Sequence, residues 1–486
     1  MIRPLNSPKV SFAVIAKLIG ADYDQDIEVN GIAQNASDVQ PGDIFLALSG
    51  SKHHGIEFLD QAIENGAVAV ITDPKGANSK LPTLIVSDPR AISGVVSAHI
   101  YGEPSSNMFT VGITGTNGKT TVTTLLHQMW QLAGWDSGLI GTVNTQINDE
   151  VLPSIHTTPE APDLQSILAM MRERHARAVA MEVSSHALSL HRVTGSHFKI
   201  AGFTNLTQDH LDFHGTMERY FEVKASLFKY GFSDLAVINI DDTYSAKLLA
   251  QIEIPAVTVS RTGQADWRYE EINKFNRGTS VKIRGRDGIL IEGTTKLLGD
   301  YNLDNLLMAV AIAVISGIDP IEIGSNLQHY VGAPGRVEQI EIGQDFMAFV
   351  DYAHTPDAVI NVLKNARQFT TGKLIAVLGC GGDRDKSKRP LMGQALTLAD
   401  YPIFTSDNPR SEDPGQILKE MTDGIRHNGE VISDRRSAIA RAVELANAGD
   451  VIAILGKGHE TGQEIKGEKF PFDDRKELIN AIAGRK

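Results

Sequence analysis

The chain has 486 residues, and at roughly 100–200 residues per domain that length suggests about three domains. With 46 Lys+Arg against 59 Asp+Glu, the net charge of −13 argues against a protein whose affinity rests on neutralising a nucleic-acid backbone. The single cysteine, Cys380, cannot form an internal disulfide, and no apolar run approaches the ~18 residues of a membrane span, so a reducing, cytoplasmic setting without membrane insertion is expected.

Residues 1–107 carry short β-rich runs, Ile44–Leu48, Ala67–Thr72 and Thr83–Val86, separated by helical stretches and turn signals such as Pro41-Gly42-Asp43. This reads as a small α/β module. The polar stretch Gly102-Glu103-Pro104-Ser105-Ser106-Asn107 then breaks the periodicity and marks a first boundary near residue 107.

Residues 108–332 alternate buried-strand runs (Phe109–Ile113, Val179–Val183, Ile200–Asn205, Ala236–Ile240) with helical segments after Lys119, Asp163 and Met217. Such alternation predicts a mostly parallel sheet covered by helices. The stretch 256–298 reads as hairpins inserted late in this domain. A helix over Leu303–Ile315 follows, and Gly332-Ala333-Pro334-Gly335 punctuates a second boundary. Residues 333–486 give four more apolar strands, Met347–Val350, Leu374–Leu378, Pro402–Thr405 and Val451–Leu455, each followed by a polar or glycine-rich segment. The expected fold class is α/β in three domains.

The sharpest local signal is Thr114-Gly115-Thr116-Asn117-Gly118-Lys119-Thr120-Thr121, set between a strand and an apolar helix. Glycines let backbone N–H groups and the helix N-terminus face phosphate oxygens, Lys119 neutralises charge, and Thr120 can reach a magnesium ion. The general nucleotide-loop pattern wants glycine where Ile113 stands. A turn with chance glycines is the bland reading, and the strand-loop-helix context outweighs it. Glu182, at the end of a strand in Met181-Glu182-Val183-Ser184-Ser185-His186, and His210, in Thr204-Asn205-Leu206-Thr207-Gln208-Asp209-His210, are suited to ligating a metal between phosphates and substrate. A lone histidine there would more often be structural. Lys224 by itself reads as a solvated helix lysine.

In the last domain the segments after the strands are Asp351-Tyr352-Ala353-His354, Gly379-Cys380-Gly381-Gly382-Asp383-Arg384-Asp385, Asp407-Asn408-Pro409-Arg410 and Gly456-Lys457-Gly458-His459-Glu460. Open parallel sheets bind ligands beyond the carboxyl ends of their strands. Arg384 and Arg410 offer planar forks for a carboxylate, and Glu460 a partner for an ammonium. Each alone could be a surface ion pair; together they read as a binding rim.

These motifs, taken together over essentially the whole chain, resemble the Mur ligases, and most closely those that add diaminopimelate. The resemblance implies an N-terminal module holding the UDP part of the substrate, a central P-loop ATPase, and a C-terminal Rossmann-like domain holding the incoming amino acid. It implies that ATP phosphorylates the D-glutamyl carboxylate of UDP-N-acetylmuramoyl-L-alanyl-D-glutamate (UDP-MurNAc-L-Ala-D-Glu), and that the amine of meso-diaminopimelate attacks the acyl phosphate, a step in making peptidoglycan precursors.

By matching position it assigns Lys119, Glu182, His210 and Lys224 to catalysis. Gly115, Thr116, Asn117, Gly118, Lys119, Thr120, Thr121, Asn302, Asn305, Arg336, Asp351 and His354 would meet ATP. Asn35, His54, Thr157, Thr158, Ser184 and Arg192 would meet the UDP-muramoyl dipeptide. Arg384, Asp407, Asn408, Pro409, Arg410, Gly456 and Glu460 would meet diaminopimelate. Magnesium (Mg2+) would lie near Thr120, Glu182, His210 and Lys224, the last as an N6-carboxylysine (carbamate), and the protein would act as a monomer. Arg410 supplies a bidentate partner for the distal carboxylate that distinguishes diaminopimelate from lysine.

Three positions depart from the family pattern: Gln34-Asn35-Ala36 replaces Asp-Ser-Arg, Leu190 replaces a glutamine before His191-Arg192-Val193, and Gly462 replaces an aromatic. Two other classes compete. A folylpolyglutamate synthetase would share the phosphate loop but lack the N-terminal module and Asp-Asn-Pro-Arg. A nucleotide-binding scaffold that had lost catalysis would not be expected to retain Lys119, Glu182, His210 and Lys224 together.

Overall fold

The computed structural model describes residues 3–21, 23, 25, 27–50, 52–77, 80–152, 154, 156–275 and 278–485. The described chain divides into two compact units, one of Met1–Ile272, Val281–Gly293 and Asp304–Tyr330, the other of Asn273–Ser280, Thr294–Leu303 and Val331–Lys486.

The first unit contains the four-stranded sheet expected near the N-terminus, with Gly31–Ala33, Asp43–Ala47, Ala69–Thr72 and Thr83–Ile85 adjacent in chain order and parallel. Asp43–Ala47 and Ala69–Thr72 are buried throughout, as parallel strands covered on both faces must be. The Arg3 guanidinium pairs with the Asp43 carboxylate and also donates to Tyr101 Oη at 2.6 Å, so Asp43 and Tyr101 share one buried cation.

Around the phosphate loop, Ser137–Ile140, Ala178–Glu182, Phe109–Thr114, Phe198–Phe203, Ser233–Asn239 and Ala256–Ser260 lie side by side in that order and run parallel. The order places the loop strand Phe109–Thr114 between Ala178–Glu182 and Phe198–Phe203. The ends that carry Glu182, the phosphate loop and Thr204-Asn205 therefore emerge together at one edge.

The start of the stretch 256–298 departs from its reading as hairpins. Ala256–Ser260 extends the central sheet in parallel, and Val259 and Ser260 pair with Trp267 and Arg268 in the same sense, so these two strands add to the sheet by parallel pairing rather than as a hairpin. A small antiparallel hairpin, Thr145–Ile147 with Glu150–Leu152, closes the opposite edge.

In the second unit Met347–Asp351, Val451–Leu455, Leu374–Cys380 and Tyr401–Ser406 form a parallel core in that order. Successive residues alternate between two apolar layers: Phe349, Leu378 and Leu455 face one, and Val350, Val377 and Ile454 the other. Arg435 and Asp474, both fully buried, are joined by two hydrogen bonds of 2.7 Å, and Arg435 also donates to the carbonyl of Leu455 at 2.8 Å. That anchors a strand end whose next residues are Gly456-Lys457-Gly458-His459-Glu460. No helix among the described residues is long and apolar enough to cross a membrane.

Candidate active site

The strand Phe109–Thr114 turns into the helix Lys119–Leu132 through Gly115 and Gly118, at φ +146° and +88°. A Cβ at Gly118 would stand 2.3 Å from Asn305 Oδ1, so both backbone angle and space demand glycine there. Lys119 Nζ donates to the carbonyls of Gly115 and Thr116 at 2.9 and 2.8 Å. The loop is also held from outside. Asn117 N donates to Asn205 Oδ1 at 3.0 Å, Thr204 Oγ1 donates to the carbonyl of Asn117 at 2.6 Å, and Thr116 Oγ1 meets Tyr220 Oη at 3.2 Å. Thr204, Asn205 and Tyr220 are loop-holding residues that sequence reasoning passed over.

Glu182, buried at the end of its strand, accepts from Thr120 Oγ1 at 3.0 Å, Thr142 N at 2.7 Å and Thr142 Oγ1 at 3.2 Å. Thr120 and Glu182 thus lie in direct contact, a pair of hard oxygen donors that fits magnesium. Thr142 was also missed. Thr157 Oγ1 meets Thr142 Oγ1 at 3.0 Å, and Thr158 Oγ1 donates to the carbonyl of Glu182 at 2.8 Å. Ser184 Oγ caps the following helix by accepting from Ala187 N at 3.1 Å, and Arg192 pairs with Glu160 at 2.7 Å while donating to the Thr158 carbonyl. Thr157, Thr158, Ser184 and Arg192 are therefore brought to the Glu182 strand end. Leu190 closes the short helix Ser185–Ser189.

His210 adopts a left-handed conformation, φ +53°, ahead of the turn Leu211–His214. Its ring packs edge-on to His186, centroids 4.9 Å apart, and 6.3 Å from the Tyr220 ring. Burial lowers its pKa against the opposing pull of Asp209. His214 joins this group through a 2.9 Å hydrogen bond to Ser185 Oγ, and burial, with His186 and His210 nearby, lowers it to about 4. No set of three His, Cys, Asp or Glu side chains converges as a metal site among the described residues.

Lys224 corrects its isolated reading as a solvated lysine. It is buried, donates to the carbonyl of Gly115 at 2.8 Å, and lies over the Tyr220 ring at 4.8 Å. Burial first, and Lys119 second, hold its pKa well below the ordinary lysine value. As an ammonium it is only a donor and does not fit a metal ligand; a carbamate on the same nitrogen would.

In the N-terminal sheet region Asn35 caps the turn Ala36–Asp38 by accepting from Ser37 N at 3.3 Å. His54 accepts from Ile56 N at 3.1 Å, with its other ring nitrogen 3.1 Å from Asp73 Oδ1. Asn302 and Asn305 stand one turn apart on the helix Asp300–Ser316, Asn305 against Gly118.

The second unit collects the remaining residues at the carboxyl ends of its parallel strands. Asp351 is buried and accepts from Val337 N and Ala353 N at 2.8 and 2.7 Å. Burial raises its carboxyl while Arg336 opposes the shift. The Arg336 guanidinium lies 4.8 Å over the Tyr352 ring, and His354 contacts the Tyr352 carbonyl at 2.9 Å.

Beside them Asn408 Nδ2 donates to Glu460 Oε2 at 2.9 Å, and the fully buried Lys457 donates to both Asn408 Oδ1 and Glu460 Oε2, at 3.0 and 2.9 Å. Lys457 is a further residue the sequence reading left unassigned. Burial raises Asp407, opposed by Arg435 and Lys457. Gly456 has φ +109°, and a Cβ there would approach Asp407 Oδ2 to 2.9 Å. Arg410 donates through Nη1 to the Gly382 carbonyl at 2.6 Å and through Nε to Glu464 at 3.2 Å, and Arg384 is exposed on the neighbouring loop. At Gly462 a side chain would press on Lys469 of the paired strand, 2.4 Å from its Cε.

A strand–loop–helix phosphate cradle in the first unit, with glycine, arginine and carboxylate side chains at the parallel strand ends of the second, is the arrangement of a nucleotide-dependent α/β enzyme. Profiles described as Mur ligase family catalytic domain, Mur ligase middle domain, and Mur ligase glutamate ligase domain match residues 28–102, 113–313 and 335–458 in turn. The UDP-N-acetylmuramoyl-L-alanyl-D-glutamate--2,6-diaminopimelate ligase of Streptomyces coelicolor is 46% identical, covering 99% of this chain and 98% of its own, and that of Aquifex aeolicus is 42% identical over 94% of each. A solved ligase of the same description has a TM-score of 0.73 at 34% identity, covering 98% of this chain and 99% of its own. The chain belongs to the Mur ligase family and has its three-domain α/β architecture. A Mycobacterium tuberculosis folylpolyglutamate synthase, with TM-score 0.60 at 16% identity over 75% of this chain and 92% of its own, shares the fold alone.

Proposed function

We propose that this protein is an ATP-dependent ligase that joins meso-diaminopimelate to UDP-MurNAc-L-Ala-D-Glu in peptidoglycan precursor synthesis, working as a cytoplasmic monomer. Its working domains would be 1–107 for the UDP substrate, 108–332 for ATP and 333–486 for the amino acid. The observation that carries this reading is the coexistence of the Lys119, Thr120 and Glu182 constellation with Arg384 and Arg410 on strand-end loops, in a chain 46% identical to a ligase of that description.

A D-glutamyl carboxylate oxygen attacks the γ-phosphorus of ATP, and ADP leaves with the β–γ bridging oxygen. The amine of diaminopimelate then attacks the acyl carbon, giving up a proton as phosphate departs with its electron pair. Backbone N–H groups of Gly118–Thr121 at the helix N-terminus, with the Lys119 side chain, hold the phosphates in line. Thr157, Thr158, Ser184 and Arg192 would position the dipeptide, with Asn35 and His54 at the UDP end. Magnesium, when bound at Thr120 and Glu182 with His210 and carbamylated Lys224 nearby, would neutralise converging phosphate oxygens. Asn302, Asn305, Arg336, Asp351 and His354 would orient the nucleotide. Asp407, Asn408, Pro409, Gly456 and Glu460 would shape the pocket around the amino acid.

Phosphate release measured with each candidate amino acid tests the reading. Release is expected only when UDP-MurNAc-L-Ala-D-Glu and diaminopimelate are both present, and equal incorporation of lysine would overturn the specificity.

A further inference from the structure

The loops bearing Arg384 and Arg410 are zipped to each other more tightly than substrate contact alone would require. Gly382 N donates to the Asn408 carbonyl at 2.9 Å, and a Cβ at Gly382 would collide with the Pro409 carbonyl at 1.9 Å. Asp383 and Arg410 both hold left-handed backbones, φ +54° and +52°, which cost energy for residues other than glycine and persist only where surroundings enforce them. The enforcement is visible. Asp383 accepts from Ser411 N and Ser411 Oγ at 3.2 and 2.6 Å, while its own N–H donates to Glu412 Oε1 at 2.7 Å.

Glu412 is held from below by Arg389, whose side chain is 2% exposed. The guanidinium spans both Glu412 oxygens at 2.8 and 3.0 Å and also reaches Glu420 at 2.6 Å. A fork-to-fork pair of this kind fixes both distance and plane. Arg389 Nη2 also reaches the Gly381 carbonyl at 3.4 Å, so the pair holds the loop that carries Arg384 from both its ends. A Cβ at Gly381 would stand 3.0 Å from Arg410 Nη1 and 3.8 Å from Arg384 Cγ, so the Arg410 guanidinium and the stem of Arg384 flank the same short loop.

We propose that Arg389 and Glu412 are specificity-positioning residues: their ion pair sets the spacing of the Arg384 and Arg410 guanidiniums, and so favours an amino acid carrying a second carboxylate over one without it. The inference rests on the diaminopimelate reading above. Lysine makes no use of a paired-arginine site, so its incorporation is insensitive to the spacing, whereas diaminopimelate use depends on it.

The test is steady-state kinetics of Glu412→Gln and Arg389→Lys in the full-length enzyme, with KM measured separately for diaminopimelate, ATP and UDP-MurNAc-L-Ala-D-Glu. The KM for diaminopimelate is expected to rise about tenfold, and those for the other two substrates to stay within about twofold. The preference for diaminopimelate over lysine should fall in proportion. A loss of kcat with an unchanged KM for diaminopimelate and unchanged preference would mean a purely structural staple and overturn the proposal. Should either variant fail to fold, Ser411→Ala, on the exposed side of the same zipper, is expected to shift the same KM in the same direction by a smaller factor, and no shift there would also overturn it. A wild-type enzyme that does not use diaminopimelate would instead remove the functional reading itself, before any variant is made.

Discussion

The phosphate loop of the first unit and the amino-acid rim of the second both place cations at strand ends, but they hold them in opposite ways. Lys119 and Lys224 donate to main-chain carbonyls, and the Gly115 carbonyl receives both. In the second unit Arg389, Arg435 and Lys457 are matched to Glu412, Asp474 and Glu460. Carbonyl dipoles orient a cation without cancelling its charge, so the loop keeps a surplus of positive potential for an anion such as phosphate. Matched pairs cancel in charge and contribute geometry instead. One region is therefore an electrostatic receptor, the other a shaped one.

That contrast breaks most visibly in stability. Asp474→Asn would leave Arg435 buried without its carboxylate, and is expected to destabilise the protein by about 3–5 kcal/mol, read as the shift in a denaturant midpoint. Lys224→Met makes the reciprocal case. It removes a buried amine whose charged form burial disfavours and no hydrogen-bonded carboxylate balances, so the ligand-free protein should lose no stability, while ligase activity falls on the order of 10²–10³-fold. A destabilisation by Lys224→Met as large as that by Asp474→Asn would erase the distinction.

Lys224 sharpens the comparison further because its lowered pKa keeps more of the amine neutral at a given pH. A neutral amine is the form that adds carbon dioxide, giving a carbamate and one proton. Enzyme depleted of bicarbonate should accordingly lose activity and regain it when bicarbonate is restored. Acid should favour the reverse reaction. Lys224→Ala should not respond to bicarbonate, and a fully active enzyme with an unmodified intact mass would count against the carbamate.

At the rim the expected effect is smaller and confined to one substrate. Arg410→Ala removes a charged fork and should raise the KM for diaminopimelate about 10–100-fold, with ATP binding unaffected. Arg410→Lys should restore little, since an ammonium reproduces neither the fork nor the paired contacts to the Gly382 carbonyl and Glu464. An Arg410→Lys variant as selective as the wild type would show that charge alone, without planar geometry, governs the rim.

The two regions also differed in how readily the sequence disclosed them. Gly115, Gly118, Lys119 and Thr120 lie within six residues and carry a local geometric requirement, so their spacing announces a phosphate loop. Thr204, Asn205 and Tyr220, which hold that loop, and Thr142, which holds Glu182, come from segments whose partners only the sheet order brings together. Lys224 is the extreme case, because nothing in helical spacing separates a buried amine from a solvated one. The strands of 256–298 were legible as strands, but alternation encodes which face is buried and not which neighbour is paired, so the parallel pairing of Ala256–Ser260 with the central sheet and with Trp267 was missed. Arg384 and Arg410 were visible as a charge pattern, whereas the Arg389–Glu412 brace beneath them looks like ordinary surface polarity until its burial is known.

The smallest effect concerns the histidine cluster beside the phosphate loop. His214 is nearly enclosed, bonded to Ser185 and flanked by His186 and Tyr220, and its pKa stands at about 4 against an ordinary value of 6.5. As pH falls from 6.5 toward 4 the unfolded chain takes up a proton that the native imidazole refuses, so this group withdraws stability progressively across that window and adds no further loss below it. His214→Asn abolishes the titration while keeping a polar group at the site. It should be less stable than the wild type at pH 7.5 through loss of packing, and the gap in Tm should narrow at pH 5. A gap of constant size at both pH values would show that the cluster titrates no differently folded than unfolded. The rim provides the internal control: Arg410→Ala removes no histidine, so it should keep a constant Tm offset where His214→Asn does not.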